Sequence, residues 1–201
     1  AWWNTVGSAG GAAAFAATEQ TVDEGGTLKV TVSGGHETLA SSVQVQVTYN
    51  TAAAADLDLK DAAVNGVKPK SFKFPVTLEW AKGEIGEKTV EIPVLVDKAV
   101  EADEFLTLQL LNPMNMEIGE ASACTVTIRD PQFGALKSAV ESGTATKAQS
   151  NDLQKIEKAL AGKSYVRALA NDATRGKVTG SALAADGKTV TLKATANKGW
   201  V

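Results

Sequence analysis

The sequence contains one cysteine, Cys124, and one histidine, His36, in 201 residues. A single cysteine excludes any disulfide within the chain and leaves the redox compartment open. Cys124 falls in an alternating apolar run, the pattern of a small buried side chain rather than of a reactive thiol. One histidine and one cysteine cannot assemble the ligand set of a structural zinc site. A Ser-His-Asp arrangement would depend on that one imidazole, and His36 lies in the turn-like stretch Gly34-Gly35-His36-Glu37-Thr38, where nothing supplies the geometry. A phosphate-cradling Gly-x-x-x-x-Gly-Lys-Ser/Thr loop is also missing. Paired carboxylates at a solvated end make a poor acid and base for glycoside hydrolysis. The chain therefore reads as not an enzyme.

Aromatic residues are few, at 5%. No run of about 18 apolar residues occurs, which excludes a transmembrane helix. A net charge of −3 provides no electrostatic reason to bind nucleic acid, whose affinity comes largely from Lys and Arg on phosphates. The opening Ala1-Trp2-Trp3-Asn4 has neither an initiator Met nor a basic stretch, and the Gly/Ala-rich segment after it is too weakly apolar for a signal core. The sequence reads as a mature or excised fragment.

What is present is period-two alternation, which puts one set of side chains on a buried sheet face and the other toward water. Leu28, Val30 and Val32 form one set, and Val43, Val45, Val47 and Tyr49 a second. Phe72, Phe74, Val76, Leu78 and Trp80 form a third. Val90, Ile92, Val94 and Val96 follow, then Leu106, Leu108 and Leu110, then Cys124, Val126 and Ile128. A first strand around Phe15 to Val22 brings the expected number to seven. Seven short alternating strands with turn signals between them predict an all-β, antiparallel, immunoglobulin-like sandwich. Pro93 has no N–H to give a ladder, so its strand is expected to be an edge or to be locally unpaired there.

Five segments in order resemble the Calx-beta domain over about residues 14–131. They are Thr21-Val22-Asp23-Glu24-Gly25-Gly26-Thr27, Ile92-Pro93-Val94-Leu95-Val96-Asp97, Val100-Glu101-Ala102-Asp103-Glu104, Leu110-Leu111-Asn112-Pro113 and Thr125-Val126-Thr127-Ile128-Arg129-Asp130. The resemblance implies an immunoglobulin-like sandwich of a kind found in exchanger loops, integrin subunits and bacterial extracellular proteins, some copies of which bind calcium at one end.

Chain parity bears on that end independently. If successive strands reverse direction, the first, third, fifth and seventh finish at the same pole. Their exits carry Glu24, the stretch Asp56-Leu57-Asp58-Leu59-Lys60-Asp61, Asp97 with Glu101, Asp103 and Glu104, and Asp130. Carboxylates are hard oxygen donors, and calcium takes about six to eight oxygens. By resemblance, Glu24, Asp97, Glu101, Glu104 and Asp130 occupy ligand positions, with one of Asp56, Asp58 or Asp61, Asp58 being the expected one, serving from the third loop. Calcium is thus the one cofactor implied. The pattern also departs from calcium-binding members: Val96 and Lys98 flank Asp97, and Pro131-Gln132 follow Asp130, which argues against high-affinity binding of several ions. The alternative is that these acids are solvated loop residues, some capping turns through Asx-type hydrogen bonds.

After Pro131 the pattern changes. Phe133, Leu136 and Val140 suggest one or two helical turns before Gly143. Ser150-Asn151-Asp152 followed by Leu153, Ile156, Ala159 and Leu160 predicts a helix over roughly 151–161, its stripe read as packing. The stretch from Arg175 through Gly187-Lys188-Thr189-Val190-Thr191-Leu192 to Gly199-Trp200-Val201 resembles the opening of an internalin-type bacterial B-repeat and stops mid-pattern. Truncation or completion by a partner is the expectation, because an unfinished strand edge invites pairing. Trp2 and Trp3 are expected to pack on this C-terminal part.

The organisation expected is an N-terminal extension over 1–13, the sandwich over 14–131, a helical connector over 132–172 and a partial β segment over 173–201. Three functions remain open. The first is a structural spacer in a bacterial secreted or cell-surface protein. The others are a calcium-dependent adhesion or interaction module and an accessory domain of a larger secreted hydrolase. Expected partners are neighbouring domains or another protein chain. A glycan is left open, since no aromatic platform is evident apart from Trp2 and Trp3.

Overall fold

Alternation sets the architecture, because in an extended chain every second side chain turns to the same face. Leu28, Val30 and Val32 are buried while Lys29 and Thr31 between them are not. The same holds for Val43, Val45 and Val47 and for Leu106, Leu108 and Leu110. In the computed structural model, residues 11–161 are described, together with the strand segments 176–179 and 193–196. Ten strands build a sandwich: β1 Ala12–Phe15, β2 Glu19–Asp23, β3 Thr27–Gly35, β4 Ser41–Tyr49, β5 Ala63–Val64, β6 Val76–Trp80, β7 Ile85–Pro93, β8 Glu104–Met114, β9 Glu117–Ile118 and β10 Ala123–Arg129. Helices α1, Pro131–Glu141, and α2, Lys147–Leu160, follow.

One sheet has the order β5-β7-β3-β1-β9 and the other β2-β10-β8-β4-β6. This is the immunoglobulin-type arrangement, two sheets facing each other across a core drawn from both inner faces. Burying each Val, Leu or Ile of that core contributes about 1.5–3 kcal/mol.

The expected strand over Phe15 to Val22 is two strands. β1 pairs with β3 in one sheet, the chain crosses at residues 16–18, and β2 pairs in parallel with β10 in the other. Alternation alone cannot reveal a strand that changes sheets, because the inner face stays inner through the crossing. The third alternating set is also shorter than its pattern: only Val76–Trp80 pairs, and Phe72 and Phe74 pack on the core from an extended loop. β7 is not an edge, since it lies between β5 and β3. Pro93 is instead locally unpaired on one flank, because β5 reaches only to Glu91, and the Pro93 carbonyl there accepts from the Asp58 amide at 2.8 Å.

Both helices begin earlier than their apolar stripes imply. Asp130 caps α1, and Thr146 caps α2 in a capping box with Gln149. Gly143, at φ +72°, ends the first helix in a left-handed conformation that costs glycine nothing. The helices pack as a hairpin, burying Leu136 and Leu153 and leaving Leu160 exposed. No helix among the described residues is long and apolar enough to cross a membrane. Of the C-terminal segment, β11 Gly176–Thr179 pairs antiparallel with β12 Lys193–Ala196. The Gly199-Trp200-Val201 ending and Trp2-Trp3 lie outside the described residues.

Candidate functional site

The exits of β2, β4, β7 and β10 and the entries of β3 and β8 meet at one pole of the sandwich, and backbone hydrogen bonds hold them in place. The Glu24 amide donates to the Arg129 carbonyl at 2.9 Å and the Gly25 amide to the Val94 carbonyl at 3.0 Å. After β4, the amides of Asn50, Thr51 and Ala52 all donate to the Phe105 carbonyl. The acids at this pole therefore ride on a tied framework rather than on free loops.

Asp130 sits at the centre of that framework. It is 5% exposed, and both carboxylate oxygens accept from backbone. Oδ2 takes the Glu101 amide at 2.9 Å, and Oδ1 takes the Gln132 amide at 2.7 Å in the first turn of α1. Asp97 Oδ1 accepts from Ala99 N at 2.6 Å. Asp58 Oδ1 accepts from the amides of Lys60 and Asp61 at 3.1 and 3.3 Å, forming an Asx-type turn. Asp61 is paired with Lys68.

From the loop after β4, Asp56 is the residue that meets the cluster. It lies in the 3-10 turn Ala54–Asp56, with Oδ2 accepting from Ala53 N at 2.6 Å. Its carboxylate also shares a hydrogen bond with Glu104. The spacing Asp-Leu-Asp does not distinguish Asp56 from Asp58. The turn decides, because it spends Asp58 on Lys60 and Asp61 and leaves Asp56 facing Glu104.

The electrostatic consequence falls on the two glutamates. Burial pushes Glu104 up from the ordinary 4.5 to about 7, helped by the charge of Asp56, the hydrogen bond with it, and the charges of Glu101 and Glu24. Glu24 is raised too, by burial first and then by Asp130, Asp97 and Glu101, with the Asp97 backbone amide opposing. Glu24 Oε2 is buried without a hydrogen-bond partner. Glu24, Asp97, Glu101, Glu104 and Asp130 thus share one electrostatic neighbourhood, joined by Asp56.

Comparison with known proteins finds no matching family model and no matching curated protein. Among solved structures the chain is similar to the apo-form Calx CBD1 domain, with 24% identity over 59% of this chain and 95% of that one at a TM-score of 0.47. It is similar also to the Calx CBD2 domain, at 14% identity over 64% of this chain and 93% of that one, TM-score 0.47. A third likeness is to the periplasmic chaperone SfaE, at 14% identity over 59% and 57% of the two chains, TM-score 0.39.

Calcium fits this pole in donor chemistry, since carboxylates from several elements crowd together and one buried oxygen is unpartnered. The arrangement as folded does not complete a site. Among the described residues no three Asp, Glu, His or Cys groups converge as metal ligands would, and Asp130 and Asp97 have oxygens committed to amides. The buried oxygen without a hydrogen-bond partner is Glu24 Oε2. His36, at the other pole, is spent on its turn, Nδ1 accepting from the amides of Thr38 and Leu39 at 3.0 and 3.2 Å.

A pH dependence follows from Glu104. Between 4.5 and about 7 the native state holds a proton that the unfolded chain has released. The native state then binds more protons, so stability falls as pH rises through that window. With solvent screening taken into account, the loss is about 1 kcal/mol. Thermal unfolding should show a lower Tm at pH 8 than at pH 5.5, and Glu104→Gln should be more stable at pH 8 and flatten that slope. A wild-type profile that rises from pH 5.5 to 8 would count against the crowding.

Proposed function

We propose that this chain is a non-catalytic β-sandwich module of a larger secreted or cell-surface protein, serving to fix the position of the segments attached to it. The observation that supports this reading is the junction at Asp130. β10 runs into α1 without a linker, and one buried carboxylate ties the 97–103 loop and the first turn of the helix together. A flexible tether would be rich in Gly or Ser and free of such bonds. The bacterial surface setting rests on the two sequence resemblances, at 14–131 and 173–201.

A second reading, a calcium-dependent interaction module, is favoured by the crowding of Glu24, Asp56, Glu101 and Glu104, which a divalent cation would relieve. The two readings separate in one measurement, thermal unfolding in excess calcium against chelator, with sedimentation under both conditions. A monomer with one Tm in both is the result for the spacer. A ligand bound only to the native state contributes about 2.7 kcal/mol at a hundredfold excess over Kd, roughly 5–10 °C in a domain of this size. A rise of that order, abolished by Glu101→Ala and by Glu104→Ala, would replace the first reading with the second. A rise that both variants keep would place calcium elsewhere.

A further inference from the structure

The side of the sandwich between the edge strands β5 and β6 is closed by residues 65–75, which cross from one sheet to the other. Asn65 leaves the first sheet beside Thr89, its amide donating to the Thr89 carbonyl at 2.9 Å and its Oδ1 accepting from the Thr89 amide at 2.8 Å. Val76 enters the second sheet opposite Val45. Between them Phe72 and Phe74 turn inward, half-buried against the core and edge-to-face with each other at 5.3 Å between ring centres. Lys68, Lys70, Ser71 and Lys73 are exposed. The inward rings leave the lysines to the outer side, so the crossing carries a basic ridge. Along an extended chain the Cα atoms of Lys68 and Lys70 are at most about 7 Å apart, and those of Lys70 and Lys73 at most about 11 Å.

We propose that this ridge binds a linear acidic polysaccharide, one bearing uronate or sulfate groups. Charge comes first. From Ala62 to Leu78 the chain has Lys68, Lys70 and Lys73 and no acid, although its net charge is −3. Lys68 is paired with Asp61, while Lys70 and Lys73 form no ion pair among the described residues. Their ammonium groups are therefore available to an anion. At physiological salt charges act over about 8 Å, so a polymer lying on the ridge senses these lysines rather than the charge of the whole chain.

The surroundings of the lysines select among anionic polymers. Single-stranded nucleic acid binds by stacking its bases on outward aromatic rings, and here both rings face the core. A folded acidic protein needs an aromatic or apolar anchor amid the charges, and an anionic membrane surface an apolar face beside the cations. The one large apolar side chain that the crossing exposes is Val67. Lysine is a compact point charge with rotatable donors, which suits carboxylate or sulfate groups spaced along a chain without demanding bidentate geometry. The Asn65-Gly66 turn, at φ 51° and 74°, and the ring pair fix the ridge at its start and its middle, so little of its backbone has to be ordered on binding. None of the acids at the pole takes part, so binding does not require calcium.

The test is an amide-shift titration of the whole chain, in chelator and at low salt, with an alginate hexamer and a heparin-derived hexasaccharide. Neutral cellohexaose, oligothymidine, and vesicles of phosphatidylglycerol with phosphatidylcholine are the competing probes. At least one acidic oligosaccharide should move the amides of Lys68, Lys70, Ser71 and Lys73, and its binding should weaken steeply as salt is raised. Lys70→Ala combined with Lys73→Ala should weaken binding about tenfold while Tm stays near wild type. Lys147→Ala combined with Lys158→Ala, the same change of net charge placed on α2, should leave binding unchanged. The proposal is overturned if neither acidic oligosaccharide moves these amides, if cellohexaose moves them as much, if oligothymidine or the vesicles bind more tightly, or if the two double variants bind alike.

Discussion

Asp130→Ala is expected to cost about 2–3 kcal/mol and to loosen α1 from the sandwich. Alanine removes the helix cap, worth about 1 kcal/mol. It also leaves the Glu101 amide without its acceptor, at about 1–3 kcal/mol. Part of this is offset, because the Asp130 charge is one of those that push Glu24 upward and its loss relieves that repulsion. Asp130→Asn separates the two effects, since asparagine caps helices as well as aspartate does and keeps one carbonyl oxygen. Urea unfolding should rank wild type, Asn and Ala in falling order, and hydrogen exchange at the Gln132 and Glu101 amides should quicken most in the alanine variant. Glu101 exchange that stays at the wild-type rate in both variants would mean that Asp130 does not join the loop to the helix.

Trp80→Ala should be the more damaging change, at about 3–5 kcal/mol. Trp80 is 1% exposed and spans the sandwich near the pole opposite the acids. Its strand pairs with β4 in one sheet, while its Nε1 donates at 3.0 Å to the Gly86 carbonyl of β7 in the other. Gly34 on β3 lies beneath the indole so closely that an added Cβ would stand 3.0 Å from the ring. Truncation therefore opens a cavity between the sheets and strands a carbonyl. Trp80→Phe keeps much of the volume and loses the N–H, so it should fall between wild type and alanine. The urea midpoint should drop with the slope unchanged; a loss under about 1 kcal/mol for the alanine variant would refute the bridging role.

The same residues mark where a linear reading stops. Trp80 was legible as a core residue because it closes an alternating run, but its partner Gly86 belongs to the other sheet. Phe15 and Val22 were legible as inner-face residues, whereas the crossing between them was not, since both sheets share one core and the apolar pattern passes through unchanged. Asp56 and Asp58 are identical in type and two residues apart, and hydrogen bonds to Lys60 and Asp61 separate them. The α1 cap was hidden for a related reason: Asp130 reads as the end of a strand motif, and its capping role appears only once α1 is seen to start at Pro131.

What this sequence determined by itself is its class and its poles. A period of two admits only strands with one buried face, and reversing strands bring alternate exits to one end, so a sandwich with acids gathered at one pole follows from the chain alone. Which strands are neighbours, which aspartate faces Glu104, and how Asp130 binds a loop to a helix were decided by tertiary structure. Those outcomes depend on hydrogen bonds between residues far apart in the chain, and alternation carries no information about a partner's identity.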